Sequence, residues 1–94
     1  MTALNEEQIT VFLGKLTGWR HDDDALCKTY PCSSFRQAAE FAVGLAAICE
    51  QEGHYPELKL TEKQVSVSLS TTAAGGVTGK DFLLAERFDK LAAK

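Results

Sequence analysis

The order of periodicities along this chain predicts an α+β fold: a four-stranded antiparallel sheet with three helices on one face. Three observations carry that expectation. Apolar residues recur at helical spacing in three stretches, near the start, around residues 34–53 and at the end. Gln64-Val65-Ser66-Val67-Ser68-Leu69-Ser70 alternates without a break, which is the pattern of a strand with valine and leucine inward and serine outward. Shorter extended stretches flank Asp23-Asp24 and precede Gln64, so the order reads α-β-β-α-β-β-α.

The first helix starts at Asn5, a good N-cap, with Glu6 and Glu7 in the first turn where the helix dipole favours acids. Ile9, Phe12, Leu13 and Leu16 then occupy i, i+3, i+4 and i+7, one apolar face, and Gly18 is the expected stop. Trp19–Asp22 and Ala25–Tyr30 read as the arms of a hairpin turning at Asp23-Asp24. Trp19 and His21, within it, are expected to pack in the core or at an edge. Pro31 precedes the second helix, where Ser34-Phe35-Arg36-Gln37 has capping-box spacing, with Gln37 set to reach the Ser34 amide. This helix runs to Gly53 and carries alanine at 38, 39, 42, 46 and 47, small side chains that allow a neighbouring helix or a partner subunit to approach closely. A short strand at Glu57–Leu60 leads into the alternating one. Ala73-Ala74-Gly75-Gly76 is a flexible turn. Thr78 then caps a final helix with Leu84, Ala85, Phe88, Leu91 and Ala92 on one face.

Composition bounds the function. Ninety-four residues suit one domain, 1–94, with a modest core. A hydrophobic fraction of 45% with 24% charged residues is ordinary for a soluble protein. No apolar run approaches the roughly 20 residues that span a bilayer, and the first residues lack the basic and apolar regions of a signal peptide, so a cytoplasmic location is expected. Cys27, Cys32 and Cys49 form no Cys-x-x-Cys pair and predict neither a disulfide framework nor a metal site. The net charge is −3, and the ten basic residues form no stripe that would neutralise phosphates, which argues against direct nucleic-acid binding.

The residues that point to function lie between Glu50 and Ala85. Glu50, then His54-Tyr55-Pro56-Glu57, then Ser70-Thr71-Thr72, then Thr78-Gly79-Lys80-Asp81 align without a gap on a pattern. This pattern resembles the pterin-4a-carbinolamine dehydratase family, which reads Glu-x-x-x-His-His-Pro, Thr-His after a strand, and Ser/Thr-x-x-Asp. Glu50, His54, Pro56 and Asp81 match. Tyr55 and Thr72 stand where the family has its second and third histidines. The resemblance implies the same fold and a site that removes water from a 4a-hydroxytetrahydropterin. That reaction takes a proton from a ring nitrogen and helps a hydroxyl leave, work suited to groups titrating near neutrality. Tyrosine ionises near pH 10, and threonine does not usefully ionise.

Each matching residue also has a structural reading. His54 follows a helix C-terminus and can bond a carbonyl there. Pro56 can fix the turn into the next strand. Asp81 stands at N3 of a capping box with Thr78. Glu50, four residues before His54, can orient its ring or remain solvated.

With two of three histidines replaced, no functional catalytic residue, cofactor or metal is expected. The chain looks like a divergent branch of the family, linked to α-carboxysomes, whose members assemble RuBisCO. That resemblance implies RuBisCO large subunit as partner, and carboxysome association as a further expectation. An active dehydratase that recycles pterin is the alternative. A regulator of transcription-factor dimerisation, a role of some animal members, is a third class. The family implies at least a homodimer, and the Val65–Leu69 strand carries no Lys or Pro to blunt an open edge.

Overall fold

A computed structural model describes residues 2–94. Its elements follow the expected order: α1 (Glu6–Leu13), β1 (Arg20–Asp22), β2 (Ala25–Pro31), α2 (Phe35–Glu52), β3 (Glu57–Thr61), β4 (Gln64–Leu69), a single 3₁₀ turn (Thr72–Ala74) and α3 (Gly79–Ala92). The four strands form one antiparallel sheet in the order β1-β2-β4-β3. The register pairs Leu26 with Leu69, Lys28 with Val67 and Tyr30 with Val65, so these residues share the face toward the helices. Cys27, Thr29, Ser66 and Ser68 share the opposite, polar face. Ile9 of α1, Leu45 and Cys49 of α2, and Leu84, Ala85 and Phe88 of α3 close the core over the apolar face.

Local chemistry explains most boundaries. Asn5 accepts from the Gln8 amide at 2.8 Å while the Gln8 side chain accepts from the Asn5 amide at 2.9 Å, a complete capping box. The helix ends at Leu13, earlier than Gly18, because bonding tightens from i−4 to i−3 over Lys15 and Leu16. Asp23 and Asp24 both adopt positive φ, 47° and 62°, as a two-residue turn matched to strand twist requires. The short polar side chain of aspartate tolerates that conformation. Ser34 caps α2 by accepting from the Gln37 amide, but Gln37 does not reach back to Ser34. Its side-chain oxygen accepts instead from the backbone and hydroxyl of Ser33. The flexible turn expected after Ser70 is ordered, closed by paired backbone bonds between Thr71 and Gly76.

Contrary to the expectation of an open edge, β4 is a central strand. β4 lies between β2 and β3 and is hydrogen-bonded on both sides, which is why its inward positions are buried without interruption. The strands with an unpaired side are β1 and β3. In α2, the alanines divide between two faces. Ala38 is fully buried, while Ala46 and Ala47 face outward with Val43, which is 70% exposed. Gly44 lies against Leu91 and lets α2 and α3 approach. Arg87 ties the same two helices by bonding Glu52 at 2.7 Å and Gln51 at 2.8 Å.

Asp89, near the end of α3, fastens that helix to the hairpin. Its carboxylate accepts from the Trp19 indole at 3.0 Å, the Lys28 ammonium at 2.8 Å and the Tyr30 hydroxyl at 2.6 Å. The Lys28 ammonium also lies 4.9 Å from the Tyr30 ring centroid. Burial, then the bond to Asp89 and its charge, push the Tyr30 phenol well above its ordinary range. The folded state therefore holds Tyr30 neutral where the unfolded chain would ionise it. Its contribution to stability is complete below about pH 10 and is lost as pH rises past that value. Chemical denaturation of Tyr30→Phe is expected to show a loss of about 1 kcal/mol at neutral pH and a shallower alkaline decline than the parent protein.

Candidate functional site

The site is assembled where α2 ends and α3 begins. Gly53 takes the left-handed conformation, φ 65°, that stops α2, and its amide bonds the Cys49 carbonyl. His54 leaves the helix at once, with its backbone N–H also on the Cys49 carbonyl, and Pro56 leads the chain into β3. At the far end of β4, the closed loop 71–76 returns the chain to Thr78, the N-cap of α3. Asp81 stands in the first turn of that helix and is fully buried.

Asp81 is where both segments meet. Its Oδ1 lies 2.6 Å from His54 Nε2. Its Oδ2 accepts the Thr71 hydroxyl at 2.9 Å and the Thr78 amide at 2.9 Å. The capping role and the site role of Asp81 thus coexist, one on each oxygen. An ionised carboxylate only accepts, so Nε2 carries the shared proton and Nδ1 is left with the ring's lone pair in the neutral imidazole. The Thr71 hydroxyl, having donated to Asp81, accepts from the Thr78 hydroxyl 2.9 Å away. Among the described residues no buried side-chain polar atom lacks a partner.

His54, Tyr55, Pro56, Ser70, Thr71 and Thr72 line a cleft of about 650 Å³ beside this cluster. That volume lies within the range that holds small organic ligands. Tyr55 is 66% exposed and Thr72 is also exposed, so the two positions that break the family pattern face the cleft and its solvent. Glu50 is exposed and bonds nothing at the site; Asp81 is the carboxylate that meets His54. Of the sequence candidates, then, the structure brings His54, Tyr55, Pro56, Thr72 and Asp81 together and leaves Glu50 apart. The His54 side chain pairs with this carboxylate rather than with the helix-end carbonyl considered from sequence. Thr71 had no role assigned from sequence. The available signal was the threonine of the Thr-His pattern, which Thr71 matches, together with Thr78 before the aspartate.

The geometry is an imidazole held by a buried carboxylate beside a cleft on an α+β sandwich. The chain belongs to the pterin 4 alpha carbinolamine dehydratase family, whose model matches residues 2–91. A relative from Roseiflexus castenholzii, provisionally named a pterin-4-alpha-carbinolamine dehydratase, is 42% identical over 94% of this chain and 95% of its own. The crystal structure of a transcriptional coactivator/pterin dehydratase from Brucella melitensis superposes with a TM-score of 0.92 at 28% identity, covering 97% of this chain and 99% of that one. A pterin dehydratase-like protein identified as a RuBisCO assembly factor in the alpha-carboxysome superposes with a TM-score of 0.65 at 25% identity, covering 81% of this chain and 88% of that one.

Asp81→Ala removes the acceptor of three donors at a buried site. We expect it to destabilise the fold by about 3 kcal/mol or more, read as a lower denaturant midpoint.

Proposed function

We propose that this protein is a 4a-hydroxytetrahydropterin dehydratase of reduced catalytic power, in which His54 is the single acid–base group and Asp81 orients it. The observation that supports this reading most is the 2.6 Å pairing of His54 with a fully buried carboxylate at a cleft of ligand size. The stronger structural likeness, to the Brucella protein named a transcriptional coactivator/pterin dehydratase, is compatible with the same reading.

In the reaction a ring N–H gives up its proton, the N–H electron pair becomes a C=N bond, and the C–O bond at the adjacent carbon breaks. The departing hydroxyl leaves as water once protonated. With Nε2–H committed to Asp81, Nδ1 of His54 accepts the ring proton and can return it to the hydroxyl. In the family pattern histidines at 55 and 72 would share this work. Tyr55 and Thr72 can orient a bound ring by hydrogen bonding, but neither exchanges a proton readily at neutral pH.

General acid–base groups contribute about 10²–10⁴-fold each, so turnover should fall well below that of a dehydratase with all three histidines. In a coupled assay the purified protein is expected to dehydrate a 4a-hydroxytetrahydropterin slowly but measurably. Tyr55→His combined with Thr72→His should raise the rate more than either change alone, and His54→Ala should remove it. A rate indistinguishable from buffer would eliminate this reading.

A second reading is favoured by the missing imidazoles and by the likeness to the RuBisCO assembly factor. Here the chain is a non-catalytic scaffold, at least a homodimer, that binds RuBisCO large subunit during assembly. A dimer presents each surface twice to an oligomeric client. Co-expression with form I RuBisCO subunits is then expected to increase soluble holoenzyme, with little effect of His54→Ala. Light scattering should give a mass of twice 10.2 kDa or more. A monomer with no effect on RuBisCO yield would leave dehydration as the sole function of the two.

A further inference from the structure

We infer that Thr71 is a positioning residue for His54, acting through Asp81 as the middle member of a buried relay that runs Thr78, Thr71, Asp81, His54. The inference deepens the dehydratase reading and rests on it for the effect on turnover, although the relay's effect on the imidazole can be read without any substrate.

The Thr71 and Thr78 hydroxyls are 2.9 Å apart, and Thr71 Oγ1 is 2.9 Å from Asp81 Oδ2. A carboxylate cannot donate, so Thr71 gives its one proton to Asp81 and receives the proton of Thr78. Thr71 is 7% exposed, Thr78 4% and Asp81 fully buried, so water does not compete for these bonds. Oδ2 is held from two directions, by the Thr71 hydroxyl and the Thr78 amide, which fixes the carboxylate plane. With the plane fixed, Oδ1 points at Nε2 of His54 and selects the tautomer that leaves Nδ1 basic. Thr71 is held in turn by its own backbone, paired with Gly76 across the loop. The first hydroxyl of the loop after β4 thus acts on the imidazole at the end of α2 without touching it.

The test is ¹⁵N nuclear magnetic resonance of the His54 ring across a pH titration, on the parent protein, Thr71→Val and Thr71→Ser. In the parent protein the neutral ring should carry its proton on Nε2. Valine matches threonine in shape but supplies no donor, so the carboxylate becomes more basic and less well oriented. The tautomer should become mixed and the imidazolium should persist to higher pH. Serine should restore both. If turnover is measurable, kcat for Thr71→Val should fall about tenfold with KM little changed, because a lost bond to a charged group acts on orientation. A Thr71→Val protein with unaltered ring tautomer and titration, merely less stable, would reduce Thr71 to a loop fastener and overturn the inference. Altered titration in a protein whose parent has no turnover would uphold the relay and eliminate the dehydratase reading instead. Should Thr71→Val fail to fold, exchange of the Thr71 hydroxyl proton in the parent protein decides: slow exchange with water supports the relay, and rapid exchange overturns it.

Discussion

The burial of one carboxylate organises the cleft end of this molecule. Removing a carboxylate from water is tolerable only if its lone pairs are met by donors, and Asp81, fully buried, has them from three segments of chain. The first turn of α3, the loop after β4 and the segment after α2 are therefore held at fixed separations. Two of those segments, the residues after α2 and the loop after β4, also wall the cleft. Its shape and the orientation of its imidazole thus share one cause, and neither can relax without leaving the charge uncompensated.

The fold was legible because its signals were local. The alternation from Val65 to Leu69, the Ser34 and Asn5 caps and the Gly53 stop are each decided within a few residues, and each appears where the sequence indicated. Strand order was less legible. An uninterrupted Val-Ser-Val-Ser-Leu pattern reports that one face is buried and says nothing about neighbours, so an edge argument for β4 could be framed and then fail against a central position. Gln37 shows the same limit on a smaller scale. Its spacing fits a box with Ser34, but the competing donors of Ser33 lie closer to hand.

At the site, the residue types were visible and their partnerships were not. His54 and Asp81 are 27 positions apart and Thr71 and Asp81 are ten apart, joined only when α2, β4 and α3 have packed. Sequence offered a local partner for each: a carbonyl or Glu50 for His54, the Thr78 amide for Asp81. The amide bond is present, yet the carboxylate has a second oxygen that local reasoning leaves unassigned. That oxygen meets the imidazole. Tyr55 and Thr72 therefore have no part in holding His54, whose partner is Asp81.

The Asp89 cluster bears on how this chain reaches its structure. The three donors to Asp89 lie 59, 61 and 70 positions earlier, so these bonds close some of the longest loops in the molecule. Closing a long loop costs entropy before its contacts return any stabilisation, which places such contacts late in folding. During synthesis the hairpin emerges well before Asp89 does. Until then Lys28 and Tyr30 face a position with no counter-charge, and the core lacks Leu84, Ala85 and Phe88 of α3. On a ribosome, roughly the first four-fifths of this chain is a sheet and two helices awaiting the segment that completes its core.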